Sequence, residues 1–262
     1  MKLIVCDIDG TLINSPSQKL PSERLIKVIQ DIKENYLVTC ATGRSRSWAK
    51  PVLEAAAFTA PAVLGGGTHI VNPQSQQLIW EQPLLPYALE GLKAILKEQT
   101  DLRVLFNDYT EEEYLNGGWG LENLLSANEV FLMEVVAIDE ERANTLIQSL
   151  QSLLGVTAIK MRSFHPNTVD IHILHELATK EHAIEWLQET LGITKVDTIG
   201  IGDGHNDFHI FKAAGTKVAV SNAVPELKEL ADEIIGSVTD DAVAEYLEKL
   251  GRAQHEKSAT IP

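Results

Sequence analysis

A chain of 262 residues, 44% hydrophobic and 23% charged, is long enough for one core domain with an inserted module and short for two full-sized domains. Its formal net charge of −15 makes the average surface repel nucleic acid and anionic lipid, which are bound by clustered Lys and Arg, so neither is expected as a partner. No apolar run has the length needed to cross a bilayer, and the first residues lack the apolar stretch of a secretory signal, so the expected compartment is the cytoplasm.

Residues 2–6 read as a buried strand that stops in the polar turn Asp7-Ile8-Asp9-Gly10-Thr11. Leu25, Val28, Ile29 and Ile32 then recur at helical spacing behind the start signals Pro21 and Ser22. A second apolar strand, 36–40, ends in Ala41-Thr42-Gly43-Arg44. A helix is expected over 47–57 and a third strand over 61–64, stopping at Gly65-Gly66-Gly67. Strand, helix, strand, helix, strand predicts a parallel sheet with right-handed crossovers, which binds ligands at the carboxyl ends of its strands. The loops at Asp7, Thr42 and Gly65 should therefore converge on one crevice.

The rhythm changes at residue 84. A helix over 84–99 is followed by a strand over 103–107, a polar stretch to 128, a strand over 130–138, a helix over 140–154 and strands over 156–162 and 169–174. This order fits an α+β module, so 84–176 is read as an inserted cap domain between the core segments 1–83 and 177–262. From Thr179 the alternation resumes: a helix closed by Gly192, a strand over 196–200, the loop Gly202-Asp203-Gly204-His205-Asn206-Asp207, then strand, helix and strand over 217–235. Thr239-Asp240-Asp241 starts a last helix with Val243, Tyr246, Leu247 and Leu250 on one face, and the polar tail after Gly251 is expected to carry no element. The fold class is α/β: a Rossmann-like doubly wound parallel sheet with an α+β insertion. Cys6 and Cys40, each in an apolar segment, are expected as buried small side chains rather than a redox pair.

Aspartates end many strands, so Asp7 or Asp9 alone says little. The pair says more, because two close anions need a cation or a shared proton. Asp203 and Asp207, at another strand end, bring the cluster to as many as four carboxylates, an all-oxygen set that suits Mg²⁺. No loop has the ligand spacing of an EF-hand, and no paired Cys/His arrangement points to zinc. Thr42, the amides around Gly10 and Gly43, and Lys180 would offer donors to a phosphate beside that ion, although each is also an ordinary turn or helix-start residue.

In this order the motifs Asp7-Ile8-Asp9-Gly10-Thr11, Thr42-Gly43-Arg44, Lys180 and Gly202-Asp203-Gly204-His205-Asn206-Asp207 resemble those of the haloacid dehalogenase superfamily. The inserted module and Ser221-Asn222-Ala223 resemble its Cof-like, sugar-phosphatase branch. The resemblance implies a Mg²⁺-dependent phosphatase acting on a small phosphorylated metabolite. Asp7 would be the nucleophile that becomes an aspartyl-phosphate, and Asp9 the acid and base. Asp7, the Asp9 carbonyl and Asp203 would hold the metal, with Asp207 in support. Thr42, Asn206 and Lys180 would hold phosphoryl oxygens, with Gly10 and Gly43 beside them, and Arg44 would either reach substrate or form a surface ion pair. Gly65-Gly66-Gly67 departs from the branch's Asn-Gly-Ala-like turn, and His205 is unusual in its motif: either a solvent-facing loop residue or a substrate contact.

The leaving group would be chosen by the cap, where 107–128 carries Asp108, Tyr109, Tyr114 and Trp119, either stacking on a sugar ring or forming a small hydrophobic cluster. His165, His172 and His175 are expected as strand or loop residues rather than metal ligands. The main alternative is a phosphomutase of the phosphomannomutase type, whose arginine-rich cap motif Lys160-Met161-Arg162-Ser163 matches poorly. The other, a non-catalytic binding protein, is disfavoured by the presence of every carboxylate. Oligomeric state and substrate identity are not legible in the sequence.

Overall fold

The structure, a computed structural model, describes residues 1–15, 17–99 and 101–259, with side chains up to 254. Five parallel strands form the central sheet in the order Glu233–Ile235, Thr216–Val220, Thr198–Gly202, Lys2–Cys6 and Tyr36–Cys40. Ala62–Leu64 continues it through one parallel bridge, Ala41 to Val63. The inner strands are apolar almost throughout, as burial on both faces requires. Cys6 pairs with Cys40 on one side and Ile201 on the other, so the loops after these three strands leave the sheet at one level. Chain order runs outward from Lys2–Cys6 in one direction and from Thr198–Gly202 in the other. The switch point, where open α/β sheets bind ligands, falls between those two strands.

Helix Glu23–Ile32 begins where the Ser22 side chain accepts from the Leu25 amide at 2.9 Å, and it buries Leu25, Val28, Ile29 and Ile32. Against it lies the last helix, Ala242–Ala259, which runs past Gly251 instead of ending there. A Cβ on Gly251 would sit 3.0 Å from Ile32 Cγ2, so this glycine serves close helix packing rather than a cap. The final residues of the tail, 260–262, lie outside the described residues. Residues 69–81, to which the sequence reading assigns no element, supply strand His69–Val71, antiparallel to Ala62–Leu64, and strand Leu78–Glu81, antiparallel to His69–Val71.

A second, antiparallel sheet has the order Trp119–Gly120, Arg103–Phe106, Leu132–Ile138, Val169–His175 and Val156–Arg162. Helices Pro86–Leu96, Leu121–Leu125 and Glu140–Leu150 cover one face, around Leu92, Met133, Val135, Ile171 and Ile173. Alternation sends Leu132, Glu134, Asp170, His172 and Leu174 to the opposite face. There Leu132 and Leu174 pack with Tyr109, Tyr114 and Trp48. Trp48 belongs to helix Arg46–Ala55 of the parallel-sheet half, so this is the face by which the inserted α+β cap meets the α/β core.

Candidate active site

Asp7, the first residue after the strand Lys2–Cys6, and Asp203, the first after Thr198–Gly202, are neighbours because their strands are. Asp207, five residues beyond Gly202, folds back through the short 3₁₀ turn His205–Asp207. All three are buried, and one carboxylate oxygen from each lies within 4.8 Å of the others. Asp207 Oδ2 accepts from the amides of Asp203 and Gly204, both at 2.9 Å, so this carboxylate shapes the loop that carries Asp203. Thr11 Oγ1 donates to Asp203 Oδ1 at 2.9 Å.

Lys180 is 1% exposed and donates to Asp7 Oδ1 at 2.6 Å and to Asp207 Oδ1 at 2.8 Å. Burial alone would lower its pKa, but Asp207 and Asp7 outweigh burial and raise it above the usual lysine range. Burial, and then Asp207, pushes Asp203 up to about 7 and Asp7 well above an ordinary carboxylate. One lysine among three buried carboxylates leaves negative charge uncompensated, and the donors are all oxygen, so the residues present fit a hard divalent cation. The approach is close: a Cβ on Gly10, at φ +84°, would collide with the Asp203 carboxylate.

Asp9 turns its side chain away from this cluster. Both its oxygens accept from Arg44, which is 5% exposed, hydrogen-bonds Ser15 Oγ at 3.1 Å and lies 5.1 Å from the Trp48 ring. Arg44 therefore forms an ion pair, as one sequence reading has it, but within the cleft rather than on the surface. Thr42 is buried at the end of Tyr36–Cys40, its Oγ1 accepting from the Arg44 amide at 3.2 Å. Gly10, Thr42, Gly43, Asn206 and the exposed His205 all line the cleft with Asp7, Asp9 and Asp203.

The glycine turn Gly65–Gly67 joins two of these parts. The amides of Gly65 and Gly66 donate to the carbonyls of Arg44 and Thr42, at 2.8 and 2.9 Å. Gly67 lies so close to Thr179, the cap of helix Lys180–Leu191, that a Cβ would run into its backbone. Asn222 donates to the Gly10 carbonyl at 2.8 Å and accepts from the Val238 amide at 2.9 Å, bracing the first motif.

The opposite wall comes from the cap. Glu134 and His172 face each other across the sheet register, both nearly buried, with His172 Nε2 3.4 Å from Glu134 Oε1. Tyr109 donates to Glu134 Oε2 at 2.5 Å and Tyr114 to Asp170 Oδ2 at 2.5 Å; Asp170 Oδ1 takes the amide of Ala137 at 2.7 Å. Burial, followed by the charge of Glu134, pushes Asp170 up to about 6. Tyr109 and Tyr114 thus form part of a buried cluster with Trp48, and Trp119 packs on Phe106. His165 holds the Tyr114 carbonyl at 3.1 Å, and His175 accepts from the Leu177 amide at 3.0 Å. Glu134 and Asp170 carry no motif; the one sequence signal is an acid in each of two largely apolar strands, the second of which also carries His172 and His175.

A family model described as haloacid dehalogenase-like hydrolase matches residues 4–117 and 121–247. The chain is 39% identical to a phosphoglycolate phosphatase of Methanothermobacter thermautotrophicus, over 95% of this chain and 98% of that one. It is 22% identical to a 5-amino-6-(5-phospho-D-ribitylamino)uracil phosphatase of Bacillus subtilis, over 94% and 96%. Among solved structures, a sugar phosphatase of HAD subclass IIB superposes with a TM-score of 0.77 at 17% identity, covering 96% of this chain and 99% of that one, a likeness of fold.

Proposed function

The chain belongs to the haloacid dehalogenase-like hydrolases, and from that premise we propose that it is a Mg²⁺-dependent phosphatase that cleaves a small phosphomonoester through an aspartyl-phosphate on Asp7. The observation that carries this reading is the position of Asp7: buried at a strand end, hydrogen-bonded to Lys180, clustered with Asp203 and Asp207, and open to a cleft that also holds Asp9 and Thr42.

In the first half-reaction an Asp7 oxygen attacks phosphorus and the bond from phosphorus to the alcohol oxygen breaks, with Asp9 giving that oxygen its proton. In the second, Asp9 takes a proton from water, the water oxygen attacks phosphorus, and the bond to Asp7 breaks to release phosphate. Lys180 holds Asp7 in place and offsets its charge, while Asp207 holds Lys180. Thr42, Asn206 and the amides near Gly10 and Gly43 supply donors for phosphoryl oxygens. Asp7, Asp203 and the Asp9 main-chain carbonyl would hold Mg²⁺, with Asp207 in support, since the Asp9 carboxylate is committed to Arg44. When bound, the ion neutralises the carboxylates and the phosphoryl oxygens, which lets an anion approach phosphorus.

The division into a core of 1–83 and 177–262 and a cap of 84–176 belongs to this reading, with the cap choosing the leaving group. Among the described residues no helix is long and apolar enough to cross a membrane; with the net charge of −15 this supports a cytoplasmic enzyme that binds neither membrane nor nucleic acid. The test is Mg²⁺-dependent hydrolysis of p-nitrophenyl phosphate, expected to fall about a thousandfold or more in Asp7→Asn. Unchanged activity in that variant would refute the mechanism. Conversion of mannose 1-phosphate to the 6-phosphate without phosphate release would favour a mutase instead.

A further inference from the structure

The cleft does not end at the phosphoryl site. One cavity of about 710 Å³ is lined by Asp7, Asp9 and Thr42 on the core side and by Glu134, Asp170 and His172 on the cap side. His172 reaches from the cap to the core within this cavity. A Cβ on Gly43 would lie 2.6 Å from its Cε1, so the imidazole rests on the loop that carries Thr42 and Arg44. A small alcohol leaving phosphorus in this cavity therefore faces a cap wall that includes His172 and Glu134, with Met161 beside them.

The charge of that wall is informative. Glu134 and Asp170 both lie on the face applied to the core, and both are nearly buried. The cations of the floor are already engaged, Arg44 with Asp9 and Lys180 with Asp7 and Asp207. On the cap side the basic groups are His172, beside Glu134; His165, held to the Tyr114 carbonyl; and Arg162, exposed at the end of its strand, which also lines the cavity but outside the buried Glu134–His172 pair. A carboxylate accepts hydrogen bonds and gives none, so a wall built around Glu134 rewards ligand donors and repels a ligand carboxylate.

Building on the phosphatase reading above, we propose that the Glu134–His172 pair is the specificity-determining contact of the cap, selecting phosphomonoesters whose alcohol carries hydroxyl or amino donors over those whose alcohol carries a carboxylate. Phosphorylated polyols and sugars belong to the first class, phosphoglycolate and phosphoglycerate to the second. The chain would thus differ in substrate from the relative named for phosphoglycolate, despite 39% identity.

A matched pair of substrates isolates the effect: glycerol 3-phosphate and 3-phosphoglycerate share a skeleton and differ in a hydroxymethyl against a carboxylate. With the full chain and Mg²⁺, kcat/KM for glycerol 3-phosphate should exceed that for 3-phosphoglycerate by about tenfold or more. In Glu134→Gln, which removes the charge and adds a donor, the ratio should move toward 3-phosphoglycerate by about tenfold, whereas Glu134→Asp should keep its sign. The ratio is read within each protein, so a smaller folded fraction cancels, and the wild-type ratio decides even where a variant does not fold. A wild-type preference for 3-phosphoglycerate or phosphoglycolate, or a ratio unmoved in Glu134→Gln, overturns the proposal. If the wild type also fails to hydrolyse p-nitrophenyl phosphate, the phosphatase reading falls and takes this one with it. Hydrolysis of that ester with the wrong preference removes the specificity proposal alone.

Discussion

Arg44 grips Asp9 at two points, Nε donating to Oδ2 at 2.8 Å and Nη2 to Oδ1 at 2.7 Å. A guanidinium has only donors, so both Asp9 oxygens act as acceptors here, and one of these contacts has to open before Asp9 can carry a proton. Arg44 holds the base form of Asp9 in place and must loosen for the acid step. Arg44→Ala should lower kcat by about tenfold to a hundredfold, because Asp9 loses its orientation. It should also cost about 1–3 kcal/mol of stability, less than a fully buried pair because the Asp9 side chain is 22% exposed. Arg44→Lys keeps the charge but not the fork and should recover only part of the activity. Steady-state kinetics and urea denaturation check both, and a variant with wild-type kcat would sink the positioning role.

The carboxylate cluster predicts a link between pH, metal and stability. Burial and then Asp207 raise Asp203 from about 3.8 to about 7. A raised carboxylate binds a proton more tightly in the folded chain than in the unfolded one. Between these values its contribution to stability therefore falls as pH rises. Mg²⁺ binds the ionised form and removes that penalty. The gain in melting temperature from millimolar Mg²⁺ should accordingly grow between about pH 5 and about pH 7.5. Differential scanning fluorimetry with and without chelator measures it; a gain that is flat or shrinks with pH contradicts the cluster as the metal site.

Cys6 and Cys40 are paired in register on adjacent strands and both are fully buried. Burial is the main cause that raises each thiol above its ordinary range, followed for Cys6 by Cys40 and for Cys40 by Asp7. Because the thiolate is the reactive form, neither should react with iodoacetamide in the native protein, and both should react in urea. Rapid alkylation of the folded chain, read by mass spectrometry, would reopen a redox role.

How much of this was legible in the sequence depends on the kind of signal. Asp7, Thr42 and Asp203 stand at strand ends, so hydrophobic pattern points them to one edge of a parallel sheet, whereas Lys180, at a helix start, joins them only through the order of the motifs. Strands of three or four residues such as His69–Val71 and Leu78–Glu81 are too short to show a period, and they went unseen. The Arg44–Asp9 pair joins residues 35 positions apart, and no local spacing encodes which anion an arginine will meet. Glu134 and Asp170 were hidden differently: an acid in an apolar strand has meaning only once register sets Glu134 opposite His172 and the sheet turns that face toward the cleft. Gly251 shows the converse, since a glycine near a helix end reads as a stop unless the neighbouring helix is known.

The glycine turn offers the sharpest test of how Lys180 is positioned. Gly67 sits at φ +124°, and its missing side chain leaves room for the backbone of Thr179, whose hydroxyl caps the helix that Lys180 begins. Backbone cannot yield as a flexible side chain does, so Gly67→Ala must push the helix start away or distort the turn. Lys180 would then move from Asp7 and Asp207, 2.6 and 2.8 Å away in the intact site. The expected cost is about 2–4 kcal/mol of stability, combining backbone strain with overpacking, and about tenfold or more in kcat. Gly192→Ala is the control: that glycine also has a positive φ, +66°, at the far end of the same helix, but nothing lies within 4 Å of the added Cβ. It should cost only about 1 kcal/mol and leave kcat unchanged. If the two variants behave alike, the positive φ rather than the contact with Thr179 explains Gly67, and the turn has no part in holding Lys180.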